Sequence, residues 1–402
     1  MDFELLPPFQ RRVMATATEL ARAEQREVYL VGGAVRDLLL GKTTRDIDFT
    51  LPAGTAGFAA GLARSLGGEV VSFPAFRTHK IEPPGEAPID VTEVRSETYE
   101  FPGALPTVTH GTLRQDMERR DFSINAIAYR LHDRAMIDLL GGIDDLRAGV
   151  LRALHDRSFL DDPTRMLRGV RLASRLSLSF DTQTRTLLDV AVRQGALTTI
   201  SPHRLWREVL LAFEEERPVA ALRAMSAAGL VPFDVQPEDR RDREVEALAT
   251  ATPGERDLIV AGHLVASPER VAETFRGCEW SERRKRELQR IVESRETASR
   301  ELPQRSSAAA QFQFLQRLPL ILVRIMSVTD AEHGEVFRRY LRAAKTPISF
   351  RHPDRSLLPG PHMGLALNEA RQALFEGSIT PEEAQSFASA AAIRYFSERE
   401  GA

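Results

Sequence analysis

Residues 29–50 constrain this chain more than any other stretch. An apolar run, Tyr29-Leu30-Val31, turns through Gly32-Gly33 into a helical pattern over 35–40, and a short strand-like segment then carries Asp46 and Asp48. Side chains alternate faces along a strand, so these two carboxylates share one face while Ile47 and Phe49 point to the other. Like charges held together repel unless a cation neutralises them, and hard oxygen ligands suit Mg²⁺ bound to substrate phosphates. A metal-dependent phosphoryl-transfer site is one reading; a solvated strand edge bearing two acids is the other. The glycine pair weakens the second, because backbone amides at a strand–turn–helix junction cradle phosphates where no side chain blocks the approach. The spacing is not Gly-x-Gly-x-x-Gly, which argues against a dinucleotide-binding fold. Arg36 either reaches a phosphate from the first helical turn or pairs with Asp37 or Asp46.

The remainder of the first 150 residues mixes patterns. Helices are expected over 9–24 and 55–66, and strands over 27–31, 68–73, 79–82 and 89–94. Asp90 lies near the start of the last of these. A sheet that brought it beside Asp46 and Asp48 would supply a third carboxylate, although no register is legible in the pattern. Residues 96–112, with Pro102, Gly103, Pro106 and Gly111, read as a long loop and a candidate lid. Arg119, Arg120, Asp121 and Asn125 lead an apolar stretch, 124–129, that reads as a helix with Asp121 as its cap. Beyond Gly149 the pattern is almost wholly helical, which places a domain boundary near residue 150.

Asp162 followed by Pro163 has the form of a helix N-cap and first helical residue. The same geometry permits a second role: Asp162 and Arg165, three apart, are neighbours on a helical face and present one acceptor and a fork of donors. Cytosine and adenine both offer an exocyclic amino donor beside a ring-nitrogen acceptor, so such a pair reads either. Guanine and uracil present the opposite pattern and leave buried polar groups unpaired. Further on, Ser201 and Pro202 begin another helix, from which Arg204 and Arg207 face phosphate or pair with Glu208. Residues 151–210 carry ten arginines against six acids, although the whole chain has a net charge of −3. Only four of its 54 basic residues are lysines, and arginine forks bidentately onto phosphates and base edges. The one cysteine, Cys278, excludes an internal disulfide. With no long apolar run and no basic-then-apolar leader, a cytoplasmic protein without a membrane partner is expected.

Five ordered motifs span about 135 residues: Gly32-Gly33-Ala34-Val35-Arg36-Asp37, Asp46-x-Asp48, Arg119-Arg120-Asp121-Phe122-Ser123-Ile124-Asn125-Ala126, Gly141-Gly142-x-Asp144-Asp145-Leu146 and Asp161-Asp162-Pro163-Thr164-Arg165. Together they resemble the class II tRNA nucleotidyltransferases, the family of CCA-adding enzymes and bacterial poly(A) polymerases. The resemblance implies an α+β fold: a polymerase-β-like nucleotidyltransferase head with a mixed sheet over 1–150, then an all-α neck over 151–215, body over 216–296 and tRNA-binding tail over 297–402. It implies Mg²⁺ on Asp46 and Asp48 with Asp90 as the third catalytic carboxylate, and tRNA, CTP and ATP as partners. Gly32, Gly33 and Arg36 would hold the triphosphate, Arg120, Asp121 and Asn125 the ribose and phosphate side, and Asp162 with Arg165 the base. Arg168 joins the nucleotide-binding set, and Arg204 and Arg207 the RNA-binding one.

Two departures stand out. The family's usual Glu-Asp-x-x-Arg is Asp161-Asp162-x-x-Arg165 here. The segment from Tyr99 to Val108 lacks the arginines that many full CCA-adding members carry, which leaves open addition of CC alone or of the terminal A alone. A poly(A) polymerase shares every motif, and a non-catalytic RNA-binding homologue is the alternative from a different class.

Overall fold

Alternation along residues 47–51 decides the centre of the fold. Ile47, Phe49 and Leu51 of β2 (Ile47–Leu51) are buried on one face of a sheet, and Asp48 and Thr50 point to the other. The computed structural model describes residues 1–231, 255, 258–259, 261–262, 265, 268–276, 278, 280–330, 332–348 and 361–400. The chain divides into two compact units, Met1–Ala212 with Ala220–Val231, and Phe213–Val219 with Pro232–Ala402.

In the first unit, β1 (Tyr29–Val31), β2, β3 (Glu69–Phe73), β4 (Thr78–Glu82), β5 (Ile89–Glu93), β8 (Ile127–Arg130) and β9 (Met136–Asp138) form a seven-stranded sheet. Its order is β3-β4-β5-β2-β1-β8-β9, and it is mixed: β2 runs parallel to β5, whereas β1 pairs antiparallel with both β2 and β8. Helices α1 (Pro8–Ala23) and α3 (Thr55–Leu66) cover one face. Val13, Met14 and Ala17 of the first and Phe58, Leu62 and Leu66 of the second close over Ile47, Phe49, Ile89 and Val91. Phe49 and Phe58 meet edge to face at 5.9 Å. At the end of β1, α2 (Gly33–Leu39) adds Ala34, Val35 and Leu38 to that same core. The opposite face holds α4 (Leu113–Glu118), which opens with a Thr112–Gln115 capping box and packs Met117 with Tyr29, Val31 and Ala128. After α5 (Gly142–Ala148), the short parallel pair of β10 (Val150–Leu151) and β11 (Ser179–Phe180) brackets α6 (Ser158–Asp161) and α7 (Thr164–Leu176). The helices α8 (Thr182–Arg193), α9 (Pro202–Phe213) and α10 (Pro218–Ala227) follow.

Gly142 sits where no side chain fits: a Cβ there would lie 2.1 Å from the Ser123 carbonyl oxygen, a backbone atom unable to move aside. Gly142→Ala is expected to destabilise the first unit by about 1–3 kcal/mol, read as a lowered urea midpoint at unchanged slope.

Three expectations are corrected. Residues 96–112 are not a structureless lid: β6 (Arg95–Thr98) and β7 (Thr107–His110) form an antiparallel hairpin, with Ser96 and Thr109 hydroxyls 2.8 Å apart across it. The turn-forming prolines and glycines cluster at its tip, and that masked the alternating polar strands on either side. Residues 124–129 are a 3₁₀ turn followed by strand β8, not a helix. A strand buried between two neighbours reads as a continuous apolar run, which periodicity alone cannot tell from a buried helix. Asp121 accordingly caps no helix. The cap of α7 is displaced by one residue, with Pro163 at the N-cap and Asp162 accepting from the Thr164 N–H at 3.1 Å.

The second unit is helical among its described residues, with α11 (Arg270–Thr274), α12 (Glu282–Glu301), α13 (Ala308–Leu315), α14 (Leu320–Thr329), α15 (Gly334–Lys345), α16 (Pro361–Glu376) and α17 (Ala384–Glu400). The basic run at 282–290 lies on α12, whose buried face is Leu288, Ile291 and Val292. Phe312 and Phe375 pack at 5.5 Å, and Ala366, Ala391 and Ala392 let α16 and α17 approach closely. The Pro/Gly-rich stretch expected at 357–364 lies outside the described residues up to position 360. Among the described residues, no helix is long and apolar enough to cross a membrane.

Candidate active site

The parallel register of β2 and β5 places Asp48 directly opposite Asp90, and Thr50 opposite Thr92, on the face left open by α1 and α3. Burial pushes the Asp48 carboxyl up and the Asp90 charge adds to it, against opposition from Arg120, so that Asp48 titrates at about 6. Burial also raises Asp90, opposed by Lys80, whose ammonium stands 4.0 Å away. Asp90 Oδ1 is shielded from solvent yet has no hydrogen-bond partner. Asp46 is exposed just before β2. Two carboxylates both raised by burial and by neighbouring acids, one with an oxygen that accepts no hydrogen bond, fit a divalent cation. Among the described residues no three His, Cys, Asp or Glu side chains converge tightly enough to enclose one. That open arrangement suits an ion that keeps water and substrate phosphates in its coordination sphere, as Mg²⁺ does.

Asp46 and Asp48 lie at a cavity of about 520 Å³, a volume in the range of small-ligand pockets. Every nucleotide-binding residue expected from sequence also lines it: Gly32, Gly33, Arg36, Arg120, Asp121, Asn125, Asp162, Arg165 and Arg168. Asp90 stands outside the lining, and so do Arg204 and Arg207. Eight arginines and five carboxylates form the wall, which gives the cavity a net positive field despite the acidic chain. Gly32, at φ +72°, leaves room for its neighbours: a Cβ would lie 3.2 Å from Arg120 Nη1 and 3.7 Å from Asp48 Oδ2.

The polar side chains form a continuous network. Arg36 Nε donates to Asp37 at 2.8 Å and its Nη1 to Asn125 Oδ1 at 2.5 Å, so Arg36 pairs with Asp37 and not with Asp46. Asn125 Nδ2 donates to Asp121 Oδ1 at 2.9 Å, and the Phe122 N–H reaches the same oxygen at 2.8 Å. Arg168 grips Asp121 Oδ2 through Nε and Nη2, both at 2.9 Å. Burial pushes the Asp121 carboxyl up, but Arg168 and these donors outweigh it and hold the group at about 2. Asp121 is therefore the organiser of its neighbours, with both oxygens already engaged.

The α7 residues depart from the expected free pair. Arg165 is 5% exposed and donates to Ser158 Oγ at 3.0 Å and the Arg119 carbonyl at 2.6 Å, with His155 and Tyr99 close by. Asp162 does not touch it; its Oδ1 accepts from Thr164 and from Arg204 Nη2 at 2.8 Å. Arg204 is thus an internal tie and not a phosphate-facing cation, whereas Arg207 is exposed on α9. Glu208 pairs with Arg171, at 3.4 Å, not with either of them.

Sequence reasoning missed two hubs. Asp116, fully buried, accepts from Arg119 at 2.8 Å and Arg120 at 3.0 Å. Its spacing of three and four from those arginines on a helix was a usable signal. Glu97 accepts from Arg119 at 2.9 Å and from the Tyr99 hydroxyl at 3.0 Å, and nothing local in the sequence announces that.

A mixed sheet carrying paired carboxylates thus stands beside an arginine-lined cavity. Residues 28–152 match the family described as the poly A polymerase head domain. Over 209 residues the chain is 41% identical to the A-adding tRNA nucleotidyltransferase of Geobacter sulfurreducens, covering 51% of this chain and 24% of that protein. It is 39% identical over 206 residues to the CC-adding tRNA nucleotidyltransferase of Deinococcus radiodurans, covering 50% of this chain and 54% of that one. The chain therefore spans about a quarter and about half the length of these two curated relatives. Its fold is also similar to the apo form II of a CCA-adding enzyme, with a TM-score of 0.70 and 26% identity over 96% of this chain and 97% of the other.

Proposed function

We propose that this protein adds C and/or A to the 3′ end of tRNA without a nucleic-acid template, using CTP and ATP in the cytoplasm and releasing pyrophosphate. The observation that carries the reading is the Asp48–Asp90 register at the edge of an arginine-lined cavity. Mg²⁺ would be held by Asp46 and Asp48 with Asp90 beside them; when bound, it lowers the pKa of the attacking 3′-hydroxyl and neutralises the leaving pyrophosphate. Arg36 and Arg120 orient the triphosphate, each already braced by a carboxylate, so little reorganisation accompanies binding. Asp162 Oδ2 has no hydrogen-bond partner among the described residues and accepts the exocyclic amino proton of cytosine or adenine. Guanine and uracil carry a carbonyl at the position where adenine and cytosine carry that amino group, so base choice resides in the protein. The names of the relatives support C and A addition equally, since A-adding and CC-adding proteins match at similar identity.

Incubation with tRNA transcripts lacking the whole CCA end or only its last residue, and with unrelated RNA, each nucleotide supplied singly, tests the reading. Incorporation of C, A or both on tRNA is the expected result. Extension of unrelated RNA by ATP alone, with no C on tRNA, would instead identify a poly(A) polymerase.

A further inference from the structure

Arg204 joins two segments distant in the chain through its two terminal nitrogens. Its Nη1 donates to the Gly103 carbonyl at 2.8 Å, and its Nη2 to Asp162 Oδ1 at 2.8 Å. That Oδ1 also accepts from the Thr164 N–H and hydroxyl, which leaves Oδ2 without a hydrogen-bond partner among the described residues. Gly103, at the crown of the β6–β7 hairpin, is itself fixed. Its N–H donates to the Leu160 carbonyl at 3.0 Å, its φ is +76°, and a Cβ there would lie 2.2 Å from Thr199 Oγ1.

We propose that Arg204 is a positioning residue for nucleotide selection, locking Asp162 so that one defined oxygen meets the incoming base and tying that setting to the hairpin crown. The inference rests on the proposed function and assigns this arginine a part in it. A carboxylate held by one oxygen leaves the other as a fixed acceptor, which repels the carbonyl that guanine and uracil carry where adenine and cytosine carry the amino group. Released from the tie, it rotates and admits water, and discrimination falls. A phosphate-binding arginine needs its fork turned to solvent, whereas both arms of this one end on protein acceptors and the side chain is 22% exposed.

Arg204→Lys separates the two roles, because lysine keeps a charge for phosphate but lacks the planar fork that spans two acceptors. The readouts are tRNA affinity, equilibrium binding of ATP, GTP, CTP and UTP, and kcat/KM for addition of each, on protein whose thermal unfolding remains cooperative. Preference for ATP over GTP and for CTP over UTP is expected to fall about tenfold in both binding and kcat/KM, with tRNA affinity changed by less than about twofold. Gly103→Ala keeps the carbonyl acceptor but drives a Cβ into Thr199, which displaces the crown from Arg204, and is expected to give the same loss. Undiminished preference in both variants overturns the proposal. So does tRNA binding that is weakened about tenfold by Arg204→Gln and restored by Arg204→Lys with preference intact. A wild-type chain that adds nothing to any RNA overturns the proposed function instead, and nucleotide binding alone then tests Arg204.

Discussion

Asp48→Ala is expected to lower nucleotide addition by about 10³-fold or more while leaving the head folded. The carboxylate lies opposite Asp90 in the β2–β5 ladder, and its loss removes the charge that would hold a cation against the triphosphate. Stability should move the other way. Burial and the Asp90 charge raise Asp48 to about 6, above the usual carboxylate value, so at neutral pH its ionised form opposes folding. The sign follows: the folded state binds the proton more tightly than the unfolded chain, and stability declines as pH rises from the unfolded pKa, about 4, through the folded one. Asp48→Asn in buffer free of divalent cations should therefore melt at a higher temperature than wild type at pH 7, and the difference should shrink below pH 4. Single-turnover addition to tRNA and thermal melts read both effects. Unchanged addition after Asp48→Ala would remove the metal mechanism, whereas a wild-type chain that binds tRNA and adds nothing to it would favour the reading as a non-catalytic RNA-binding homologue.

Asp121→Ala has the second large effect, and it falls on stability and activity together. The substitution orphans the Phe122 N–H and Asn125 Nδ2 in a buried site and frees Arg168. Arg168 is partly exposed and recovers some hydration, so the cost is set mainly by the two buried donors, about 3 kcal/mol. Because Asn125 and Arg168 lose their anchor, and Arg36 is fixed through Asn125, addition should fall about 10²-fold through a raised nucleotide KM and a lowered kcat. The acid profile provides an independent check. Asp121 is held at about 2 in the folded state, below the unfolded value, so its contribution is complete above about pH 4 and is lost as the pH falls toward 2. Wild type should lose urea resistance across that window more steeply than Asp121→Ala.

Legibility in the sequence followed the range of the interactions. The Gly32 turn, α1, α3 and the Asp162-Pro163 helix start depend on neighbours within a few residues, and all could be read to within a residue or two. The hairpin of β6 and β7 and strand β8 could not. Their identity is decided by partners elsewhere: β8 is a strand because β1 and β9 flank it, and the same apolar residues would suit a helix in another setting. Arg204 shows the same limit at the level of one side chain. Its charge suggested phosphate, while its acceptors, Gly103 and Asp162, come from segments that nothing near position 204 announces.

The chain's sequence by itself determined which chemical groups were available: two carboxylates two residues apart, glycines that let a phosphate approach, and an arginine-rich helix with an acid at its head. Tertiary structure alone decided how they are set. Burial of Ile47 and Phe49 under α1 and α3 fixes the face of β2, pairing with β5 then brings Asp90 opposite Asp48, and closure around Asp121 turns separate arginines into one braced wall. Strand register and hydrogen-bond partnership are relations between distant segments, selected by the burial of a whole core, and they leave no mark on the residues taken one stretch at a time.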